Sequence, residues 1–325
     1  MSELSSGALA ARRFWEALLS YLGVLTVLLA LIAFFSINQS RFFTLANFWN
    51  VLDGSSVLLI VSVGLTFTML CGGFDLSLSG VLALGGVVLW VLLSHGVPLF
   101  LAIILVILGG TLIGAVVTGY PIAYLDLPFF VVTLGVLVAA RGLASVITSG
   151  EVEGLYEQET LRKIGNGRIG DVTYPVIIAL VVLLLAIVVT RYTGYGRMIY
   201  AVGGNPEAAR LAGINVRLVR LSTYAISASL CAFAGVIETA RLAAASPDAD
   251  QGIEFSAAAA VLLGGTSFVG GIGSMLGTFL GVMFIGVLKN GLIISSISVY
   301  WQGVITGVVL FASVLIDRFR RRRST

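Results

Sequence analysis

Ten stretches of this sequence stay apolar for about the thickness of a bilayer, and nothing else in it restricts the fold so strongly. They lie near residues 18–36, 48–70, 80–94, 98–119, 129–149, 173–191, 221–243, 256–270, 274–294 and 298–316. A hydrocarbon core of ~30 Å takes roughly 20 helical residues to cross. Within it every backbone N–H and C=O must find a partner in the protein, which leaves helices and closed barrels. A barrel needs polar residues in alternation, and these runs lack them. The chain of 325 residues is 58% hydrophobic and 11% charged, far from the roughly one quarter charged of soluble domains. Its 39 glycines suit helices that approach closely in lipid. The expected fold is an all-α integral membrane protein, a polytopic bundle of about ten transmembrane helices forming one domain over residues 1–325. The third and eighth runs are short for a full span, so they are expected to be broken, tilted or partly re-entrant.

Charge sets the orientation. Arg12 and Arg13 precede the first run, which is long enough to span and carries no small-residue cleavage site, so it is expected to remain as a helix. With these arginines in the cytoplasm, ten crossings bring Arg197, Arg210, Arg217 and Arg220 back to the same side. The same count puts the basic tail 317–325 (Arg318, Arg320, Arg321, Arg322, Arg323) inside, so both termini are expected to be cytoplasmic. The acidic segments 151–171 and 248–254 fall outside, with Arg162, Lys163 and Arg168 as exceptions in a loop that is net acidic. The net charge of +3 and pI near 9.0 thus reflect a tail suited to anionic lipid, and give no ground for nucleic acid.

Several chemistries are excluded. Cys71 and Cys231 sit in or at the end of apolar runs as small hydrophobes, with no disulfide expected. His95, the only histidine, has no ligand at metal spacing. Lys163 and Lys289 are the only lysines and neither follows G-x-x-x-x-G, so the chain has no P-loop of its own. No Ser, His and Asp or paired carboxylates stand at spacings that suggest hydrolysis, and an enzyme is not expected.

Between two long apolar runs, residues 203–214 read as one short, firmly bounded helix. Gly203 and Gly204 precede Asn205, a good N-cap; Pro206 suits the first helical position, and Glu207 meets the positive end of the dipole. Gly213 stops the helix as a left-handed residue followed by apolar Ile214. Ala208, Ala209 and Ala212 keep it slim. So short a helix does not repay its nucleation alone, so packing against another surface is expected to complete it.

Two glycine breaks occupy matching places, Cys71-Gly72-Gly73 and Leu263-Gly264-Gly265, a pattern that points to interrupted helices around a midplane site. The first is followed by Asp75, Ser77 and Ser79, the second by Thr266, Ser267 and Ser274. Asp75 has two open readings: a charge on a pathway or gate, or a cap accepting from the N–H of Ser77 or Leu78. The hydroxyls suit a neutral, polyol-like ligand held weakly, with selection made elsewhere. Arg141, Glu238 and Lys289 lie within spans and are expected to pair with other charges, and Arg241 follows Glu238 at the spacing of a local ion pair. Pro98, Pro121, Pro128 and Pro175 are each expected at a helix start. Gly271-Ile272-Gly273 with Gly277 misses the dinucleotide spacing and reads as packing.

At these residues the chain resembles the permease subunits of bacterial ABC importers of the ribose/xylose/arabinose/galactoside group, from about Phe42 onward. Gly72-Gly73-Phe74-Asp75-Leu76-Ser77 looks like the family's GGIDLS signature and Ala140-Arg141-Gly142 like its LRG. Residues 200–214 look like the coupling loop, and 259–267 and 289–292 like the carboxyl-half motifs. Phe74, Ser79-Gly80 and Ser256 depart from the family pattern; at Ser256 an Asp is usual. The resemblance implies a permease of the bacterial inner membrane working as a dimer with a second permease subunit. It also implies a cytoplasmic sugar-type ATPase, which would hold ATP and Mg, and a periplasmic sugar-binding protein. Residues 192–220 would form the cytoplasmic coupling loop, and segments 151–171 and 248–254 would offer docking surfaces outside. An ion-coupled secondary sugar transporter, in which Asp75 and Glu238 would bind H⁺ or Na⁺, and a purely structural membrane subunit remain as alternatives.

Overall fold

The computed structural model describes the backbone of residues 6–322 and the side chains of residues 22–318 apart from 299. The side chains of Arg12, Arg13, Arg320, Arg321, Arg322 and Arg323 lie outside this range. The chain runs through α1 (Ser6–Asn38), α2 (Leu45–Gly54), α3 (Ser56–Leu70), α4 (Leu78–Ser94) and α5 (Leu99–Leu112). After a π-helical stretch over Ile113–Gly119 come α6 (Tyr120–Tyr124), α7 (Phe129–Thr148), β1 (Glu153–Gly154), α8 (Glu159–Asn166), β2 (Arg168–Ile169) and β3 (Val172–Thr173). The second half holds α9 (Tyr174–Tyr192), α10 (Gly194–Gly204), α11 (Pro206–Leu211), α12 (Val216–Leu242), β4 (Ala244–Ala245), α13 (Ile253–Leu263), α14 (Met275–Ile294) and α15 (Val299–Arg322).

Among the described residues six helical stretches are long and apolar enough to cross a membrane: Leu99–Tyr124, Phe129–Thr148, Tyr174–Tyr192, Val216–Leu242, Met275–Ile294 and Tyr300–Arg318. The pair α2 and α3, bent by 46°, makes a seventh. Leu22–Asn38, Leu78–Ser94 and Ile253–Leu263 are shorter apolar helices.

The bundle is built around α12, which packs on α3, α4 and α5 and on the π-helical stretch. Glycine permits that density. A Cβ on Gly235 of α12 would meet the Leu82 carbonyl of α4, and one on Gly281 of α14 would meet the Ala260 carbonyl of α13. Backbones in contact gain dispersion energy that lipid cannot compete for. The outer faces of α5, α7, α9 and α15 expose Leu108, Val131, Leu184 and Val308, as lipid-facing helices should.

Two local features differ from expectation. The second apolar run is bent rather than straight, at Gly54-Ser55-Ser56, where Ser56 Oγ donates to the Asp53 carbonyl at 2.7 Å; Gly/Ser pairs are a common cause of sharp kinks. Pro121 lies inside the continuous stretch Leu99–Tyr124 instead of opening a separate span. A proline lacks the N–H and crowds the carbonyl one turn back, and the wider π turns directly before it relieve both problems. Outside the helices, β1 pairs antiparallel with β4, Glu153 opposite Ala245 and Gly154 opposite Ala244. The Leu155 N–H extends the clip by donating to the Ala243 carbonyl at 2.8 Å.

Candidate functional site

At one end of the bundle stands the short helix. The Asn205 carboxamide oxygen accepts from the Ala208 N–H at 2.9 Å, and Arg210 reaches back to Glu207 at 2.6 Å. Gly213 has φ +82°, and the Ile214 N–H closes the end on the Ala209 carbonyl at 3.0 Å. Ala209 is buried against the protein, whereas Glu207, Ala208 and Leu211 face outward. The helix therefore presents an exposed outer face. Gly203 and Gly204 belong to the last turn of α10 and not to this helix. Helix α10 itself was not foreseen; Thr193, whose hydroxyl accepts from the Gly196 N–H at 3.2 Å, caps it.

Both glycine breaks end their helices alike. Gly72 and Gly265 take φ +82° and +87°. The next N–H, of Gly73 or Thr266, closes on the carbonyl five residues back, Thr68 or Val261, at 2.9 and 3.2 Å. Beyond the first break Asp75 is fully buried. Its Oδ1 accepts from the Ser77 N–H at 2.9 Å and from the Ser77 hydroxyl at 2.6 Å, and its Oδ2 from the Ser227 hydroxyl at 2.8 Å. The carboxylate organises the start of α4 and ties it to α12. Ser77, Ser79, Thr266 and Ser267 are buried too, with Ser79 Oγ and Thr266 Oγ1 finding no hydrogen-bond partner among the described residues. None of these five expected pathway residues lines the polar cavity, because the breaks fold in against neighbouring backbone.

That cavity, of about 570 Å³, opens between α2, α3, α13, α14 and α15 at the opposite end of α3 from its glycine break. Asn50, Ser55, Asp250, Gln251, Ser256, Lys289, Asn290, Gln302 and Thr306 give it hydroxyls, amides and charges, with Gly54, Gly286, Gly303 and Gly307 making room. Lys289 Nζ donates to Ser256 Oγ at 3.1 Å. Asn290 and Asn47 exchange both amide hydrogen bonds, at 3.0 and 2.9 Å, so Asn290 is fixed in orientation. Asn47 also faces a second, largely apolar cavity of about 600 Å³ between α1, α2 and α14.

The charges expected to pair find partners from further away. Arg241 binds Asp53 at 3.1 Å and Glu238 at 3.3 Å, and the Thr173 hydroxyl donates to the other Asp53 oxygen. Arg141 lies 3.6 Å from Asp248. Arg141, Glu238 and Lys289 thus do not pair with one another. Of the acidic segment 248–254, Asp248 is exposed but Glu254 is buried, so only part of it is surface. In segment 151–171, α8 lies across the end of α12, with the Asn166 amide on the Arg241 carbonyl at 3.2 Å. Its exposed Lys163 sits 2.8 Å from Glu159, and that hydrogen bond holds the Glu159 carboxyl below its ordinary value.

Apolar helices long enough to span, broken helices bearing buried polar groups and a polar cavity within the bundle define a polytopic membrane permease. Residues 47–314 match the family described as branched-chain amino acid transport system / permease component, and the chain belongs to that family. It is 40% identical over 309 residues to the ribose import permease protein of Escherichia coli (strain K12), covering 94% of this chain and 96% of the relative. To the D-allose transport system permease protein of the same organism it is 35% identical over 309 residues, covering 94% and 92%. The ribose import permease protein of Haemophilus influenzae is 38% identical over 295 residues, covering 90% and 91%. No solved structure matches.

Proposed function

We propose that this chain is the membrane subunit of an ATP-binding-cassette importer that passes a monosaccharide or related polyol across the bacterial inner membrane. In this reading it crosses the membrane ten times, the three short apolar helices included, with both termini in the cytoplasm. It works beside a second permease subunit, with a cytoplasmic ATPase holding ATP and Mg and a periplasmic sugar-binding protein. Helix α11 couples to the ATPase, and the break residues Asp75, Ser77, Ser79, Thr266 and Ser267 serve as gate elements that move with their helices. The observation that carries the reading is the polar cavity: its volume falls in the ~300–1,000 Å³ of small-molecule sites, and it sets amide, hydroxyl and charged groups among apolar walls. Relatives of nearly full length are named for ribose and allose transport, while the family's description names branched-chain amino acids. An isobutyl side chain would leave those amide and hydroxyl groups unpaired, whereas a polyol can bond them.

The test is reconstitution in liposomes with the ATPase and binding protein encoded beside it, measuring uptake of labelled ribose, allose and leucine. ATP-dependent uptake of a sugar is the expected result. Leucine uptake alone, or sugar uptake on an ion gradient without the ATPase, overturns the reading.

A further inference from the structure

At the base of the short helix three remote segments meet backbone to backbone. Gly203 lies in the last turn of α10, three positions before α11 begins, and it is buried. A Cβ there would strike both the Leu70 carbonyl, at the end of α3, and the Gly271 nitrogen, in the loop before α14. Those two groups are bonded to each other: the Gly271 N–H donates to the Leu70 carbonyl at 2.9 Å. A Cβ on Gly270 would meet Gly72, and one on Gly271 would meet Gly204. One turn earlier on α10, the Tyr200 hydroxyl donates to the Gly273 carbonyl at 2.9 Å. Beside the junction, the rings of Phe74 and Phe268 lie 5.2 Å apart, tying the two breaks together.

No side chain separates the backbones at the Gly203 contact, so a rotamer change there cannot relieve a displacement of α10. Packed interiors answer such displacements by shifting whole elements. The helices seized here are the ones whose far ends wall the polar cavity: α3 through Val57 and Leu58, and α14 through Lys289 and Asn290, with α13 entering the same loop. We propose that Gly203 is a positioning residue for transport, the centre of a three-way backbone joint that passes movement of the α10–α11 unit to both broken helices at once. The inference rests on the importer reading above and adds how the coupling helix reaches the cavity.

Gly203 is helical and carries no positive φ, so Gly203→Ala leaves its own φ/ψ allowed and acts only by pushing the Leu70 and Gly271 backbones away; in an open helix it would stabilise. Gly194→Ala, on the same helix, is the control, since its Cβ would meet only the far end of Arg197 at 3.7 Å. The complete complex with ATPase and binding protein is reconstituted, and the sugar moved per ATP hydrolysed is measured per assembled complex. For Gly203→Ala this ratio is expected to fall roughly tenfold, a typical size for coupling between sites, while Gly194→Ala matches the wild type. Tyr200→Phe, which removes one hydrogen bond to the joint and keeps the ring, is expected to lower the ratio roughly fivefold. An unchanged ratio in assembled Gly203→Ala overturns the proposal, even if the yield of complex drops, because a purely structural role lowers yield and leaves coupling intact. If Gly203→Ala does not assemble, an unchanged ratio in Tyr200→Phe overturns it instead. A wild type that transports without the ATPase refutes the importer reading, and the joint's role falls with it.

Discussion

Replacing Asp75 separates the two roles a buried carboxylate can have in this fold. Asp75 accepts three hydrogen bonds, one of them from a backbone N–H that cannot turn to another partner. Asp75→Ala orphans that N–H, at about 1–3 kcal/mol, and releases two hydroxyls; the one on Ser227, within α12, has the carbonyl one turn back as a fallback acceptor. With the small void left behind, the total is about 2–4 kcal/mol. At roughly 2 °C per kcal/mol for a chain of this size, the melting midpoint should fall by about 4–8 °C. Asp75→Asn keeps the acceptor for Ser77 and offers an N–H₂ to Ser227, whose hydroxyl turns to accept, so its cost should stay below about 1 kcal/mol. Thermal unfolding in lipid nanodiscs and uptake by the reconstituted complex measure both variants. The expected order is wild type and Asn close together and Ala well below. If Asn melts like the wild type yet transports nothing, the charge itself serves transport and the account of Asp75 as a structural acceptor is wrong.

Gly213→Val forces a β-branched residue to φ +82°, costing about 1–2 kcal/mol or more; it should loosen the end of α11 and uncouple ATP turnover from uptake. Normal sugar-stimulated hydrolysis would contradict this. Lys289→Met keeps the apolar stem but loses the ammonium on the cavity wall; uptake should slow by roughly tenfold, the worth of a charge-assisted hydrogen bond, with no loss of melting temperature. Arg241→Met leaves Asp53 and Glu238 facing each other; with the site partly open to solvent the cost is about 1–3 kcal/mol. The double variant Asp53→Asn, Arg241→Met should recover part of that loss in a double-mutant cycle.

What could be read from the sequence was whatever is encoded within a few residues. The cap, the proline and the stop of α11 all lie between Asn205 and Ile214, and the structure places each hydrogen bond where those residue types require it. The Asp75 cap to Ser77 was legible for the same reason. The cavity was not, because Asn50, Ser256, Lys289 and Thr306 come from four segments, and each is a single polar residue in an otherwise apolar run. Hydroxyls near the breaks gave a stronger local signal than these. Arg241 and Asp53 are 188 positions apart, so only their shared place at one end of the bundle joins them. The bend at Gly54-Ser55-Ser56 did leave a trace, a small-residue triplet inside an apolar run, and Gly194 after Thr193 marked the start of α10.

The two-residue clip between Glu153–Gly154 and Ala244–Ala245 makes recognition and leverage separable. It fastens the outer segment to the chain immediately before Asp250, Gln251 and Gly252 on the cavity rim. Main-chain pairing is indifferent to side-chain identity, so exposed residues such as Tyr156 and Arg162 are free to change while the grip on the rim persists. A proline at Leu155, which deletes the donor to Ala243, would do the reverse, leaving that surface in place and slackening the linkage behind it.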